Sequence, residues 1–553
     1  MNKTLSRIVH FVFQDALYIS TATTVFFFYY SIMLMFPRSL LGDPDPLWHI
    51  HTGQWILDHA QVPTVDSYSY TAVGTRWIST EWLSEIVFAL SFKIGEWRGV
   101  VILSALGCAA IIAIICFYLM QNLRFFVAIG WTALIALAIR SHFLARPLLF
   151  SYIVGSIWLI KLLASYDRDD FRSSVAFLCV LMVLWANLHP SFTFGLALLY
   201  VVAGYSCFEK ILRRDYAQCK NELFAVITVS ICALLTPYGV YSALITLDTM
   251  HTKHLFSNIA EWRPPNFQQN HFRLFMVGFF MAVTGLGVRL GGPRLIVYGM
   301  VLTLGLSYER GFTIFCLLTP IIFARPVSEC ASGLLAAEGK HVPSSQATDL
   351  WRAALAIVLF VSFIALGWRT GIVVAASVPL VLAIVFIVMD AMGLDLHRAG
   401  SSNPVLLYLQ KRSIMIPTIF LAAATLATAA SWRQLNVGPP ESVAPRAALE
   451  FVKKTGIMGN VFNNYDFGGY LIFEGIQTFI DGRVLPYTDK FFQEYFDTVG
   501  FTDSKSAFQL LDRYKVQWVL LGPTDPLAKA LAKSDQWRDV YSDEYSTVLV
   551  RSR

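Results

Sequence analysis

Between residues 42 and 53 the chain reads Gly-Asp-Pro-Asp-Pro-Leu-Trp-His-Ile-His-Thr-Gly. Two carboxylates, Asp43 and Asp45, and two imidazoles, His49 and His51, crowd together in a chain whose charged residues amount to only 14%. Asp45 and His49 are four apart. If Pro46 opens a helix in its first turn, where a missing N–H costs nothing, both side chains project near one face. Gly53 keeps that face thin. The stretch follows the first long apolar run, so it lies just outside a membrane, where a carboxylate is costly to desolvate and has a task or a partner. An aspartate there can take a proton from a hydroxyl or hold a hard divalent ion through oxygen. Imidazoles suit softer metals, or hydrogen bonds to phosphate. The plainer reading is that Asp43 and Asp45 cap the helix behind Pro44 and Pro46, and the sequence leaves both readings open.

More candidates stand at the ends of later apolar runs. Arg146-Pro147 opens one run, and Asn187-Leu188-His189-Pro190 joins two others in a tight turn. Glu261-Trp262-Arg263-Pro264-Pro265 lies in the loop 238–271, and Ser307-Tyr308-Glu309-Arg310 separates two more runs. Arginine grips phosphate with two parallel N–H groups, but at a span end it equally well snorkels to lipid headgroups. Glu81 and Glu85 begin a helix, where the dipole favours acids, so Glu81 has a structural reading beside a site reading. His189 in its turn has both readings as well.

These ends must be positioned by helices in a bilayer. Of the 553 residues, 56% are hydrophobic, and the net charge is only +6, from 43 basic and 37 acidic residues. Globular chains carry about 25% charged residues. The composition therefore implies a mainly α, polytopic membrane protein and excludes a soluble enzyme. The basic excess belongs to loops, and no nucleic-acid partner is read from it. None of the eight cysteines forms a CxxC pair, so neither a zinc site nor a disulfide framework is expected. Apolar runs lie near 16–36, 99–120, 125–140, 147–164, 173–188, 191–208, 222–237, 272–288, 295–308, 311–324, 351–367, 371–390 and 414–430. They predict about thirteen spans. Residues 82–94 are apolar but too short to span, and predict an interfacial or re-entrant helix. The first span has no small-residue cleavage site after it and is expected to be retained.

Lys and Arg set the orientation. With the N-terminus in the cytoplasm, the connections holding Arg124, Arg168, Lys210, Arg213, Arg214, Lys220, Arg289, Arg294, Arg398, Lys411 and Arg412 are cytoplasmic. The first outer loop, counted as 37–98, has few basic residues. On this assignment Asp43, Asp45, His49, Glu81, Arg146, His189, Glu261 and Arg310 all fall on the outer side. An enzyme with an outward-facing site would have this arrangement.

Residues 1–431 thus form the predicted transmembrane domain, and 432–553 change character. The tail is charged and lacks long apolar runs. Helices are expected at Ala447 to Lys454, Ala507 to Tyr514 and Pro526 to Ala532. Strands are expected at Gly459 to Phe462, Tyr470 to Phe473, Thr478 to Arg483, Val516 to Leu521 and Ser546 to Val550. This predicts a small extracytoplasmic α/β domain. It has no glycine-rich phosphate loop.

Several segments in this order resemble the GT-C superfamily of polytopic glycosyltransferases, and more closely a bacterial group of GT-C-like membrane proteins. They are Asp45-Pro46-Leu47-Trp48-His49 with Gly53, Pro63 to Thr71, Glu81-Trp82-Leu83, Ala145-Arg146-Pro147, Trp185 to His189, Pro237-Tyr238-Gly239, Glu261-Trp262-Arg263, and Phe462-Asn463 through Tyr470-Leu471 with Asp481-Gly482-Arg483. The resemblance implies an enzyme of a bacterial inner membrane that uses a polyprenyl-phosphate sugar. It implies that Asp43 or Asp45 is the catalytic base or the ligand of a divalent cation, Mg²⁺ or Mn²⁺. Similarity to oligosaccharyltransferase catalytic subunits points to Asp45. Their acceptor motif is matched by Asn464-Tyr465-Asp466-Phe467-Gly468 without either tryptophan, so a sequon-reading activity is not inferred.

Moving a sugar from a lipid phosphate needs a base, positive charge for the departing phosphate, and a groove for the lipid. Asp45 is assigned to the first. Arg146, Arg310, His189 and Arg263 are assigned to the second, supported by His49, His51, Glu81 and Glu261. Asp466, Asp481 and Arg483 are expected on the acceptor side. The acceptor itself, whether protein, lipid or polysaccharide, is left open. The alternatives are a transporter or flippase of a lipid-linked saccharide, and a non-catalytic assembly scaffold. Transporters bury charge mid-span in matched halves. Here the charges gather at one face.

Overall fold

A computed structural model describes residues 3–249, 259–268, 270–285, 287–337 and 437–552. The first long run forms helix α1 (Lys3–Met35). The acidic stretch opens α2 (Asp45–His59), with proline in its first turn as expected. Next comes α3 (Trp82–Asn122), which carries the short apolar stretch and the following run as one element. Gly95 and Glu96 leave helical geometry inside it, so 82–94 is a separate arm across a kink. Arg146-Pro147 precedes α4 (Leu148–Asp167), and Glu309 begins α5 (Glu309–Ala337).

Four helical stretches among the described residues are long and apolar enough to cross a membrane: Trp82–Asn122, Leu148–Asp167, Phe192–Leu212 and Glu309–Cys330. Four shorter apolar helices are Thr21–Met35, Phe125–Ala138, Arg172–Leu188 and Pro293–Ser307. The expected runs at 351–367, 371–390 and 414–430 lie outside the described residues. One apolar core joins the bundle, with Ile112, Trp158, Leu199, Phe275 and Phe315 fully enclosed.

Polar pairs sort to the two ends of this bundle. At one end Arg294 grips Asp167 with two N–H groups at 2.7 and 2.5 Å, and Arg325 joins them at 2.7 Å. There too Lys210 pairs with Glu222 and Asp169. Asp43, Glu81, Arg146, His189 and Arg310 adjoin the opposite ends of their helices.

The tail builds a four-stranded sheet in the order β1-β2-β4-β3, from β1 (Asn460–Asn463), β2 (Val516–Leu521), β3 (Trp537–Ser542) and β4 (Thr547–Arg551). β1 and β2 are parallel; the other two pairs are antiparallel. Two expected strands are corrected. Tyr470 to Phe473 belongs to helix α6 (Gly468–Phe473), because a run of four apolar residues fits a helix or a strand equally by pattern. Thr478 to Arg483 is not a sheet strand. Thr478 instead bridges to Ser69 of the first outer loop, exchanging backbone hydrogen bonds with Tyr68 and Tyr70. The helix Asp489–Val499 and strand β3 were not expected from the pattern.

The tail does not close a core by itself. Ala72 of the first loop is buried with Phe462, Phe479, Tyr495 and Leu511, and Leu47 with Leu449, Leu471 and Trp518. The cut at 431/432 therefore runs between segments that share their apolar side chains. Glycine makes this closeness possible. A Cβ on Gly469 would stand 2.4 Å from the Pro44 carbonyl oxygen, and one on Gly482 2.5 Å from Asp45 Oδ1. Within the bundle, a Cβ on Gly53 would lie 2.0 Å from the Glu85 carbonyl oxygen, so α2 lies backbone-close on α3 as its sequence suggested.

Candidate active site

Two chains of charge meet at the end of the bundle that carries the tail. The first starts at Asp43, whose carboxylate is buried against the Arg146 guanidinium. Arg146 Nε stands 3.5 Å from Asp45 Oδ2, and Nη1 donates to Glu261 Oε2 at 2.7 Å. Glu261 Oε2 also pairs with Arg310, whose guanidinium lies over the Trp262 ring, 5.3 Å from its centroid. Three carboxylates thus share Arg146, and one of them passes on to Arg310.

The sequence explains why these groups meet. Pro44 and Pro46 flank Asp45, the first residue of α2, and the Asp43 carboxylate just before the helix accepts the Asp45 N–H at 2.9 Å. Trp48, one helical turn on, donates its indole N–H to Asp45 Oδ1 at 3.2 Å. Arg146 precedes α4, and Arg310 is the second residue of α5. A narrow cleft between His142, Arg146, Leu149, Tyr152, Glu261 and Arg310 opens on the first chain.

Burial raises the Asp43 carboxyl to about 6, against the opposing pull of Arg146. Glu261 lies on the other side of the balance. Burial disfavours its charge, but Arg310 and Arg146 together hold it at about 2.

The second chain runs Glu85–His49–Glu81–His189. His49 Nδ1 stands 3.3 Å from Glu85 Oε1, and Nε2 3.3 Å from Glu81 Oε2. Glu81 and Glu85 are one turn apart, so His49 slots between them. Burial opposes the imidazolium, but the hydrogen bond to Glu85 and the charge of Glu81 outweigh it, and the ring titrates above 6.5. Glu81 is drawn down to about 2 by His189 and His49 in spite of its burial.

Some expected roles change. Both nitrogens of His189 are engaged: Nε2 lies 3.0 Å from Glu81 Oε1, and Nδ1 accepts the Ser191 N–H at 3.1 Å. His189 therefore orients Glu81 and has no nitrogen left for a phosphate. His51, two residues after His49, leaves the helix on another face and meets Tyr68 edge-on at 5.2 Å. Arg263 has an exposed side chain, and its carbonyl accepts the Glu309 N–H at 2.8 Å.

Asp481 and Arg483 were expected beside the acceptor, yet both are enclosed. Arg483 Nε and Nη2 each donate to Asp481 at 2.8 Å, and Nη1 donates to Asp66 at 2.6 Å. The guanidinium also lies over the rings of Tyr68 and Trp77. The trio fastens the tail to the first loop. Asp66 was not singled out in the sequence. Neither was Glu85 as a partner of His49, although its spacing from Glu81 carried the signal. Asp466 is different. It is exposed on the tail, and its backbone N–H donates to the Asn464 side chain at 2.9 Å.

The donors do not fit the divalent ion that the resemblance implies. The guanidinium of Arg146 fills the place between Asp43 and Asp45, and Asp45 Oδ1 already accepts from Trp48. Among the described residues no group of three or more His, Cys, Asp or Glu is arranged to hold a metal.

No protein-family model and no curated protein matches the chain. Solved structures do. One is the Archaeoglobus fulgidus oligosaccharyltransferase tethered with an acceptor peptide containing the NVT sequon, at 12% identity and a TM-score of 0.46, covering 96% of this chain and 74% of that one. Another is ArnT from Cupriavidus metallidurans bound to undecaprenyl phosphate, at 15% identity and a TM-score of 0.47, covering 97% of each chain. The chain is similar to both. Its own residues carry the functional reading that follows.

Proposed function

We propose that this chain is a membrane glycosyltransferase that moves a sugar from a polyprenyl-phosphate donor to an acceptor hydroxyl. The observation behind this is the placing of Asp45 beside Arg146, itself linked to Arg310, at the bundle end covered by the tail. Asp45 takes the hydroxyl proton as the acceptor oxygen bonds to the sugar's anomeric carbon. The bond from that carbon to the phosphate oxygen breaks, and the electron pair leaves with the lipid phosphate. Arg146 and Arg310 receive the charge that develops there. Trp48 fixes the Asp45 carboxylate, and Asp43 holds Arg146 from behind. The sequence resemblance to GT-C enzymes supports the same assignment. An open apolar groove lined by Trp82, Leu83, Val180, Leu184 and Leu235 begins next to Glu81 and suits the lipid chain. The exposed Asp466 is placed on the acceptor side.

The test is transfer. Purified protein is incubated with radiolabelled polyprenyl-phosphate sugars and a membrane extract. Label should move to a new product. If no donor yields product while the protein still binds the lipids, the enzyme reading falls and a carrier or scaffold replaces it.

A pH profile follows from Asp43. Below about 6 its carboxyl is protonated and stops holding Arg146. Activity should therefore fall as pH drops through that value. Asp43→Asn should be slow at every pH and lack this step; an unchanged acid limb in that variant would refute the role given to Asp43.

A further inference from the structure

Glu261 occupies an odd place for a supporting residue. One of its oxygens lies against two guanidiniums at once, accepting from Arg146 Nη1 at 2.7 Å and pairing with Arg310. That is where an oxygen of a bound phosphate would go, because arginine forks match carboxylate and phosphate alike. We propose that Arg146 and Arg310 form a phosphate site that the chain's own Glu261 fills, so that a lipid-borne phosphate enters by exchange with this carboxylate. This rests on the assignment of Arg146 and Arg310 to the donor phosphate.

Three observations carry the exchange. First, Arg310 keeps a buried Nε without a hydrogen-bond partner on the guanidinium whose Nη2 pairs with Glu261, whereas Arg146 Nε is turned to Asp45. Glu261 meets both guanidiniums through the single oxygen Oε2 and leaves that Nε unmet, whereas a phosphate offers more oxygens to the same donors. Second, the partners of Arg146 differ in mounting. Asp43 is 4% exposed and tied to the backbone before α2, whereas Glu261 is 27% exposed. Glu261 is the carboxylate able to leave. Third, Glu261 sits on a short turn, Ala260–Trp262, fastened on both sides. Trp262 lies edge-on to Tyr308 at 5.8 Å, and the Arg263 carbonyl accepts from Glu309 N–H at the start of α5. Ile259 packs among the tail's apolar residues. The side chain can swing while its turn stays in place. With no donor bound, Glu261 also places a counter-charge between the two neighbouring guanidiniums.

An internal competitor lowers apparent affinity by the fraction of time that it vacates the site. If Glu261 fills the clamp nine-tenths of the time, the loss is about tenfold. The experiment measures binding of decyl phosphate to the full-length protein in detergent, in a buffer free of phosphate and sulfate. Glu261→Gln should bind at least about tenfold more tightly than the wild type. Glu261→Asp, which keeps the charge but is one methylene shorter, should fall between them. Melting curves of all variants in the same buffer confirm that folded protein is compared. Equal or weaker binding by folded Glu261→Gln and Glu261→Asp would overturn the exchange.

Arg310→Gln separates this failure from that of the underlying site. If it abolishes binding while Glu261→Gln gives no gain, the phosphate site stands and the exchange is wrong. If Arg310→Gln and Arg146→Gln both bind as the wild type does, the phosphate assignment itself is wrong. Inorganic phosphate and phosphatidylglycerol nanodiscs identify the source. Decyl phosphate should bind more tightly than inorganic phosphate, and nanodisc binding should not respond to Glu261→Gln. Equal affinity for inorganic phosphate would overturn the lipid-borne source.

Discussion

Asp45→Ala should abolish sugar transfer while leaving the protein folded and able to bind a lipid phosphate. General bases contribute about 10²–10⁴-fold, so a loss in that range is expected in single-turnover assays with labelled donor. Binding survives because Asp43 still holds Arg146 in place when Asp45 is gone. Folding survives because Asp45 is one of the less buried carboxylates of the cluster and is not the one that anchors Arg146. Asp43→Ala makes the contrast. It takes the buried partner from a buried guanidinium and should weaken both binding and stability. A folded Asp45→Ala protein with wild-type transfer would end the assignment of Asp45 as base.

Arg483→Ala should release the tail from the first loop. The side chains of Asp66 and Asp481 are fully enclosed, and Arg483 is the cation between them. Removing it leaves two buried carboxylates without a counter-charge, a loss of about 3–5 kcal/mol. Arg483→Lys should rescue little, because an ammonium cannot make the two-pronged contact with Asp481. Melting temperature and protease sensitivity of the tail give the readout; wild-type values for both in Arg483→Ala would refute the fastening role. The sign with pH follows from Asp481. Burial opposes its charge, but Arg483 holds its carboxyl below 3.8. Its contribution is present above 3.8 and is lost as pH falls through the lower folded value.

The sequence made the bundle legible because membrane helices announce themselves by long apolar runs. The ends of those runs also pointed to Asp45, Arg146, Glu261 and Arg310, charges that need a function or a partner beside a bilayer, and the fold brings these four together. What stayed hidden was pairing across distance. Nothing near residue 483 says that its guanidinium meets Asp66. His189 likewise reads as a phosphate ligand until Ser191 and Glu81 are seen to occupy both its nitrogens. His51 misled because its type suited the site and its helical position did not. In the tail, Tyr470 to Phe473 was read as a strand because four apolar residues in a row carry no period. Gly469 and Gly482 revealed their purpose only in space, where they admit Pro44 and Asp45.

The fastening of Asp66 by Arg483 spans 417 positions of sequence. Synthesis makes the acidic loop early and its clasp late. For most of the time that the ribosome is at work, Asp45 stands on a half-built rim, without Gly482 against its carboxylate. A chain lacking residue 483 thus holds Asp45, Arg146 and Arg310 but leaves the buried Asp66 without its cation. The order of the residues leaves the first loop unclasped until residue 483 has been made and has folded back onto Asp66.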